Sequence, residues 1–156
     1  MNKINSFLLV FLAFTLSCGF KVVDQSSISN YEIASISTFG EKKINYRLKR
    51  ILLSNSNESA EKLIVVDLTT KKTRTIKEKN IKNEVTKYQI TIRSNVSFKE
   101  INSNKSYEII KTTLGEYNVT DKYSQTLTNE KKLVELLTTS LAEDISESLS
   151  SELNAI

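Results

Sequence analysis

Tyr88-Gln89-Ile90-Thr91-Ile92-Arg93-Ser94-Asn95-Val96-Ser97-Phe98 alternates along its whole length. Tyr88, Ile90, Ile92, Ser94, Val96 and Phe98 fall on every second residue, with Gln89, Thr91, Arg93, Asn95 and Ser97 between them. Successive side chains of a strand point to opposite faces, so this is a strand with one dry face and one wet face. Such a strand belongs to a sheet that is covered on one side only.

Working outward, Asn102-Ser103-Asn104-Lys105 turns the chain, and Tyr107 to Leu114 reads as the antiparallel return strand. Upstream, Lys62 to Thr70 contains Leu63-Ile64-Val65-Val66 and reads as a strand buried on both faces for part of its length. Before the loop Asn55 to Ser59, Ile44, Leu48, Ile51 and Leu52 recur at i, i+4, i+7 and i+8, an amphipathic helix. Tyr31 to Phe39 is β-prone and Gly40 punctuates it. At the other end Leu133, Leu137, Leu141, Ile145, Leu149 and Leu153 stand four apart, widened by Val134 and Leu136. Each step of four drifts by about 40° on a helix of 3.6 residues per turn. A drifting stripe suits packing on a twisted sheet and a second helix, with a coiled-coil seam as the alternative. The predicted fold is an α+β two-layer sandwich in the order β-α-β-β-β-α: a mixed four-stranded sheet with two helices on one face. The first crossover runs through a helix, so its two strands are expected to be parallel.

The chain has 156 residues, no proline, no histidine, no tryptophan, three glycines and one cysteine. Lys3 followed by Phe7-Leu8-Leu9-Val10-Phe11-Leu12-Ala13-Phe14 is a positive n-region and an apolar core of signal-peptide length, short of the roughly 20 residues that span a bilayer. Thr15-Leu16-Ser17-Cys18-Gly19 follows, with a small residue directly before a cysteine, as lipoprotein signal peptidase requires. The lone Cys18 has no disulfide partner and no metal-ligating companions. The reading is residues 1–17 as a lipoprotein signal peptide, 18–30 as a lipidated tether and 31–156 as one periplasmic domain. Several acyl chains on Cys18 give stable anchoring. Gly19 after it, in place of the aspartate tied to inner-membrane retention, points to the periplasmic face of the outer membrane.

A formal charge of +4 does not argue for nucleic acid. Its distribution is uneven. Lys42, Lys43, Arg47, Lys49 and Arg50, then Lys71, Lys72, Arg74, Lys77, Lys79 and Lys82, crowd the first half of the domain; Glu130, Glu135, Glu143, Asp144, Glu147 and Glu152 crowd the end. This suits either an anion-facing side or two solvated faces. Without histidine there is no imidazole base and no histidine-ligated metal. Three glycines build no phosphate loop. Glu143 and Asp144 are neighbours on a helix, about 100° apart, and do not converge as an acid/base pair. No catalytic site, metal or cofactor is expected.

With its elements in this order the chain resembles the LptE family, the lipopolysaccharide-assembly lipoproteins of Gram-negative outer membranes. Cys18-Gly19-Phe20 is similar to the family's opening. Ile44-Asn45-Tyr46-Arg47-Leu48-Lys49-Arg50-Ile51-Leu52-Leu53 resembles its first helix, Lys87-Tyr88-Gln89-Ile90-Thr91-Ile92 a strand and Leu141-Ala142-Glu143-Asp144-Ile145-Ser146-Glu147-Ser148-Leu149 its closing helix. The resemblance implies a plug inside the β-barrel LptD that helps deliver lipopolysaccharide to the outer leaflet. Charge clustering adds a candidate basic rim for the lipid's phosphates: Lys71, Lys72, Arg74 and Lys77, placed at the end of the second strand and in a loop beyond it. The polar strand face carrying Gln89, Thr91 and Arg93 suits a hydrated barrel lumen. An accessory lipoprotein of another outer-membrane assembly complex, or a periplasmic scaffold, is the alternative.

Overall fold

The alternating strand becomes β3, Val85–Glu100, and lies between β2 (Lys62–Lys79) and β4 (Ser106–Asn118). The computed structural model describes residues 29–155, so the signal-peptide reading, most of the tether and Cys18 lie outside the described residues. Ile90, Ile92, Ser94, Val96 and Phe98 of β3 are buried, whereas Arg93, Asn95 and Ser97 are exposed. β1 (Tyr31–Gly40) joins the far side of β2 in parallel, while β2–β3 and β3–β4 pair antiparallel, giving the sheet order β1-β2-β3-β4. α1 (Lys42–Ser54) makes the crossover from β1 to β2, and α2 (Tyr123–Asn154) follows β4. The architecture is therefore the β-α-β-β-β-α sandwich with a mixed four-stranded sheet.

The two helices share the dry face because one core cluster holds both stripes: Ile44, Leu48 and Leu52 of α1, and Leu137, Leu141, Ala142, Ile145, Leu149 and Leu153 of α2. Leu141, Ile145, Leu149 and Leu153 are fully buried inside their own chain, so the coiled-coil alternative fails. Burial of each such side chain contributes about 1.5–3 kcal/mol. One buried polar residue ties three elements together. Asn45 of α1 donates to the Phe39 carbonyl of β1 at 2.8 Å and accepts from the Thr70 hydroxyl of β2 at 2.6 Å. Gly40 ends β1 at φ +94, and a Cβ there would stand 2.0 Å from the Thr70 carbonyl oxygen, so only glycine makes this turn.

The elements depart from the sequence reading at five places. β2 does not stop at Thr70 but runs to Lys79 in a long hairpin with β3, its register continuing from Ile64↔Glu100 to Lys79↔Val85. Lys71 to Lys77 shows no apolar alternation, yet its threonines suit a strand and its backbone pairs with one that is firmly specified. β4 continues past Leu114 to Asn118 and α2 starts ten residues before Leu133, at Tyr123. Leu63 and Val65 are only half-buried, so β2 is dry on one face rather than two. Leu136, read as part of the core stripe, is 66% exposed, because it stands about 100° around the helix from the buried Leu137.

Leu141→Ala is expected to cost about 2–5 kcal/mol, and Leu136→Ala to stay within about 0.5 kcal/mol of wild type. Urea unfolding of both variants checks this; equal losses would mean that α2 turns a different face to the sheet.

Candidate functional site

Strand geometry decides the fate of the predicted rim. Because 71–77 is strand and not loop, neighbouring side chains go to opposite faces. Lys72 and Arg74 point to the helix side, where Glu130 of α2 takes both: Lys72 Nζ lies 3.5 Å from Oε1 and Arg74 Nη1 3.2 Å from Oε2. Lys71 and Lys77 point to the open face. There Lys77 pairs with Glu116 of β4 at 3.2 Å, and Lys71 stands beside Arg93 across the ladder. The four residues do not form one rim.

Glu130 is the hub of a compact polar cluster. The Tyr117 hydroxyl donates to its Oε2 at 2.9 Å, Tyr117 stacks on Tyr88 with ring centroids 5.7 Å apart, and the Arg74 guanidinium lies 4.7 Å over the Tyr88 ring. A cation on an aromatic face contributes about 0.5–1 kcal/mol at an exposed site. Burial pushes the Glu130 carboxyl up, but the Tyr117 hydroxyl, Lys72 and Arg74 together outweigh it and hold the group below its ordinary 4.5. The Tyr117 phenol is pushed up, by burial first, and so keeps the proton it donates.

Next to this cluster, α1 and α2 leave a groove of about 530 Å³ above β2. Its floor is apolar, from Ile44, Leu127 and Val134, and its walls are mostly cationic, from Lys43, Arg47, Arg50, Lys72 and Lys131. Lys43, Arg47 and Arg50 share a face of α1 because they stand at i, i+4 and i+7. Arg47 reaches across to α2, 3.8 Å from Glu135 and 3.4 Å from the Thr139 hydroxyl. Lys43, Arg50 and Lys131 have no ion-pair partner among the described residues. Glu130 and Glu135 are the acids of the groove. The basic run 42–50 is as plain in the sequence as the run chosen for the rim, and the helical spacing of Lys43, Arg47 and Arg50 is the signal that favours it. What the sequence hides is Glu130, more than fifty residues away, closing on Lys72 and Arg74. Among the described residues no three acids or cysteines converge as a metal-binding set.

A one-sided four-stranded sheet under two helices, in this order, is the architecture of a class of solved bacterial lipoproteins. The chain is similar to rare lipoprotein B from Shewanella oneidensis, with a TM-score of 0.55 and 13% identity over 77% of this chain and 97% of that one. It is also similar to lipoprotein B from Nitrosomonas europaea, with a TM-score of 0.57 and 14% identity over 83% and 90% of the two chains. A third likeness, to a protein of Caulobacter crescentus CB15 described as a lipoprotein, has a TM-score of 0.54 and 14% identity over 83% and 93%. What is shared at these identities is the fold. No family model and no curated protein matches the chain.

Glu130→Gln removes a carboxylate whose pKa is lowered by folding. Such a group adds stability above its unfolded pKa and loses it as pH falls through its folded value. The variant is expected to be less stable than wild type at pH 7, the gap closing below the ordinary 4.5. Thermal melts of both proteins from about pH 7 to about pH 2.5 read this; a gap that is constant with pH would remove Glu130 as the electrostatic hub.

Proposed function

We propose that this protein is an outer-membrane lipoprotein of the LptE type. It is held by an acylated Cys18 on the periplasmic face and acts without catalysis as a lipopolysaccharide-assembly factor that plugs an LptD-type β-barrel. The observation that carries the reading is the groove between α1 and α2. Its cations lie above an apolar floor, the arrangement that an anionic amphiphile requires. Lipopolysaccharide presents phosphates and sugar carboxylates next to acyl chains, and arginine and lysine bind these anions by charge-assisted hydrogen bonds. The site is therefore moved from the strand rim to Lys43, Arg50 and Lys131, with Lys72 on the boundary and Arg47 anchored across.

Two further features support the reading. The sequence around Cys18 has the pattern of lipoprotein processing, and the solved structures from Shewanella oneidensis and Nitrosomonas europaea that share the fold are described as lipoproteins. The open sheet face carries Ser37, Thr69, Thr73, Thr75, Gln89, Thr91, Asn95 and Thr112 among charged residues and a few apolar ones. Short polar side chains of this kind suit a water-lined barrel interior.

Affinity isolation of the full-length, membrane-expressed protein in mild detergent is expected to recover a large barrel in one-to-one amount. Recovery of a different outer-membrane complex would keep the lipoprotein and discard the LptD assignment. In parallel, the triple variant Lys43→Glu, Arg50→Glu, Lys131→Glu is expected to weaken lipopolysaccharide binding at least about tenfold, since hydrogen bonds to charged groups are worth about 1.5–3 kcal/mol each. Lys71→Glu with Lys77→Glu is expected to leave it nearly unchanged. The reverse pattern would restore the strand rim and reject the groove.

A further inference from the structure

Lys71 of β2 and Arg93 of β3 stand directly opposite each other on the open face, and Thr112 of β4 completes the row. Both cations are exposed, and neither has an ion-pair partner among the described residues. Like charges directly opposite each other destabilise a sheet. Toward the hairpin tip that cost is avoided, because Lys77 is met by Glu116 at 3.2 Å and Lys87 by Glu78 at 2.7 Å.

No neighbour on the face relieves the pair. The rows on either side are Thr69, Asn95 and Ile110, then Thr73, Thr91 and Leu114, none of them ionisable. On these three strands the nearest carboxylates of the face, Asp67, Glu108 and Glu116, stand four residues away along their strands, about 13 Å at the rise of a strand. Glu116 is already taken by Lys77 and Lys87. The flanking rows supply hydroxyl and amide groups as further hydrogen-bond donors. They also hold two uncovered apolar side chains, Ile110 at 50% and Leu114 at 61% exposure. An open strand face is a surface and not a pocket, so it does not enclose a small ion. A polyanion spread over it would be repelled at Asp67 and Glu108. What fits is a protein surface that brings one carboxylate to the pair and covers Ile110 and Leu114 around it.

We propose that Lys71 and Arg93 are the docking point for an aspartate or glutamate on the inner wall of the barrel partner. The inference rests on the barrel assembly proposed above and names the contact that orients the plug within it. The inner wall of such a barrel is polar. Arg93 takes both oxygens of the carboxylate in its planar fork, and Lys71 adds a point charge beside it. A row that is repulsive in the free protein becomes a satisfied ion cluster in the complex. Docking through the open face leaves the groove between α1 and α2, on the other side of the sheet, free for lipid.

The test is affinity isolation of the full-length protein from membranes in mild detergent, with the barrel identified by mass spectrometry, beside urea unfolding of the same variants. Lys71→Glu supplies Arg93 with a carboxylate from within the chain. It is expected to unfold at no lower urea concentration than wild type, because an opposite-charge pair replaces a like-charge one. It is nonetheless expected to retain at least about tenfold less barrel, since charge-assisted hydrogen bonds to the partner are lost. Arg93→Glu is expected to behave in the same way, and Lys43→Glu with Arg50→Glu, in the groove, to keep the barrel. A benzoylphenylalanine photo-cross-linker in place of Thr91 is expected to label a barrel strand whose inward-facing residues include Asp or Glu. If wild type recovers the barrel and both variants recover as much, or the labelled strand carries no such acid, the docking point is wrong and the barrel assembly stands. Loss of the barrel together with loss of stability in both variants would reduce the pair to a structural role. If wild type recovers no barrel, the assembly itself falls and the docking point with it.

Discussion

The dry row of β3 is the constraint on which the other elements depend. Ile90, Ile92, Val96 and Phe98 have to be removed from water, and all four lie on one side of a strand with neighbours on both edges. A helix placed on the other side would meet Arg93, Asn95 and Ser97 and bury polar groups without partners. Both helices are therefore driven to the same face, where they compete for width. α2 takes the β3–β4 half, α1 the β1–β2 half, and they touch each other between. The groove is a consequence of this sharing. Leu48, Leu52, Leu141 and Ile145 of the two helices are joined in one core, and space is left where Lys43 and Lys131 stand in place of large apolar residues.

Charge is distributed on this frame by the same periodicities. A run such as Lys71-Lys72-Thr73-Arg74 is dense in sequence and dilute in space, because a strand separates neighbours by face. A spacing such as Lys43, Arg47, Arg50 is sparse in sequence and dense in space, because a helix gathers every third or fourth residue. Lys72 and Arg74, on the helix side of β2, are then met by Glu130, whose partly buried carboxylate is held by three donors. Ion pairs whose cations reach solvent contribute about 0–1 kcal/mol each. Their chief effect here is to leave the unpaired positive charge of the groove on α1 and Lys131.

The fold was legible because its elements rest on two-fold and near-four-fold periodicity. Tyr88 to Phe98 specified the sheet's sidedness, Ile44 to Leu52 and Leu133 to Leu153 specified two helices, and Gly40 marked a turn that excludes a Cβ. The extension of β2 was hidden because Lys71 to Lys77 has only Ile76, itself exposed, to mark a face; its pairing is imposed by β3. Leu136 was misplaced for a related reason, since hydrophobicity alone does not say where a drifting stripe leaves the sheet. For the site, the residue types were legible and their convergence was not. Nothing local to Lys72 or Arg74 signals Glu130, and nothing local to Arg47 signals Glu135.

The same logic makes the sheet's edges unequal. β1 is the parallel edge strand, and the crossover that parallel pairing requires returns α1 and the loop after it alongside that edge. Lys49, Ser56 and Asn57 are thereby delivered to its backbone as a by-product of connectivity. β4 is reached by a tight hairpin from β3 and left by a short link to α2, which crosses over the sheet's dry face rather than beside it. No chain segment among the described residues passes along the outward side of β4, and a sequence without proline lacks the simplest residue for blocking a strand edge. Protection there falls to Glu108, Lys111 and Glu116, of which Lys111 points to the helix side and Glu116 is neutralised by two lysines. The open edge thus follows from the β-α-β-β-β-α order itself.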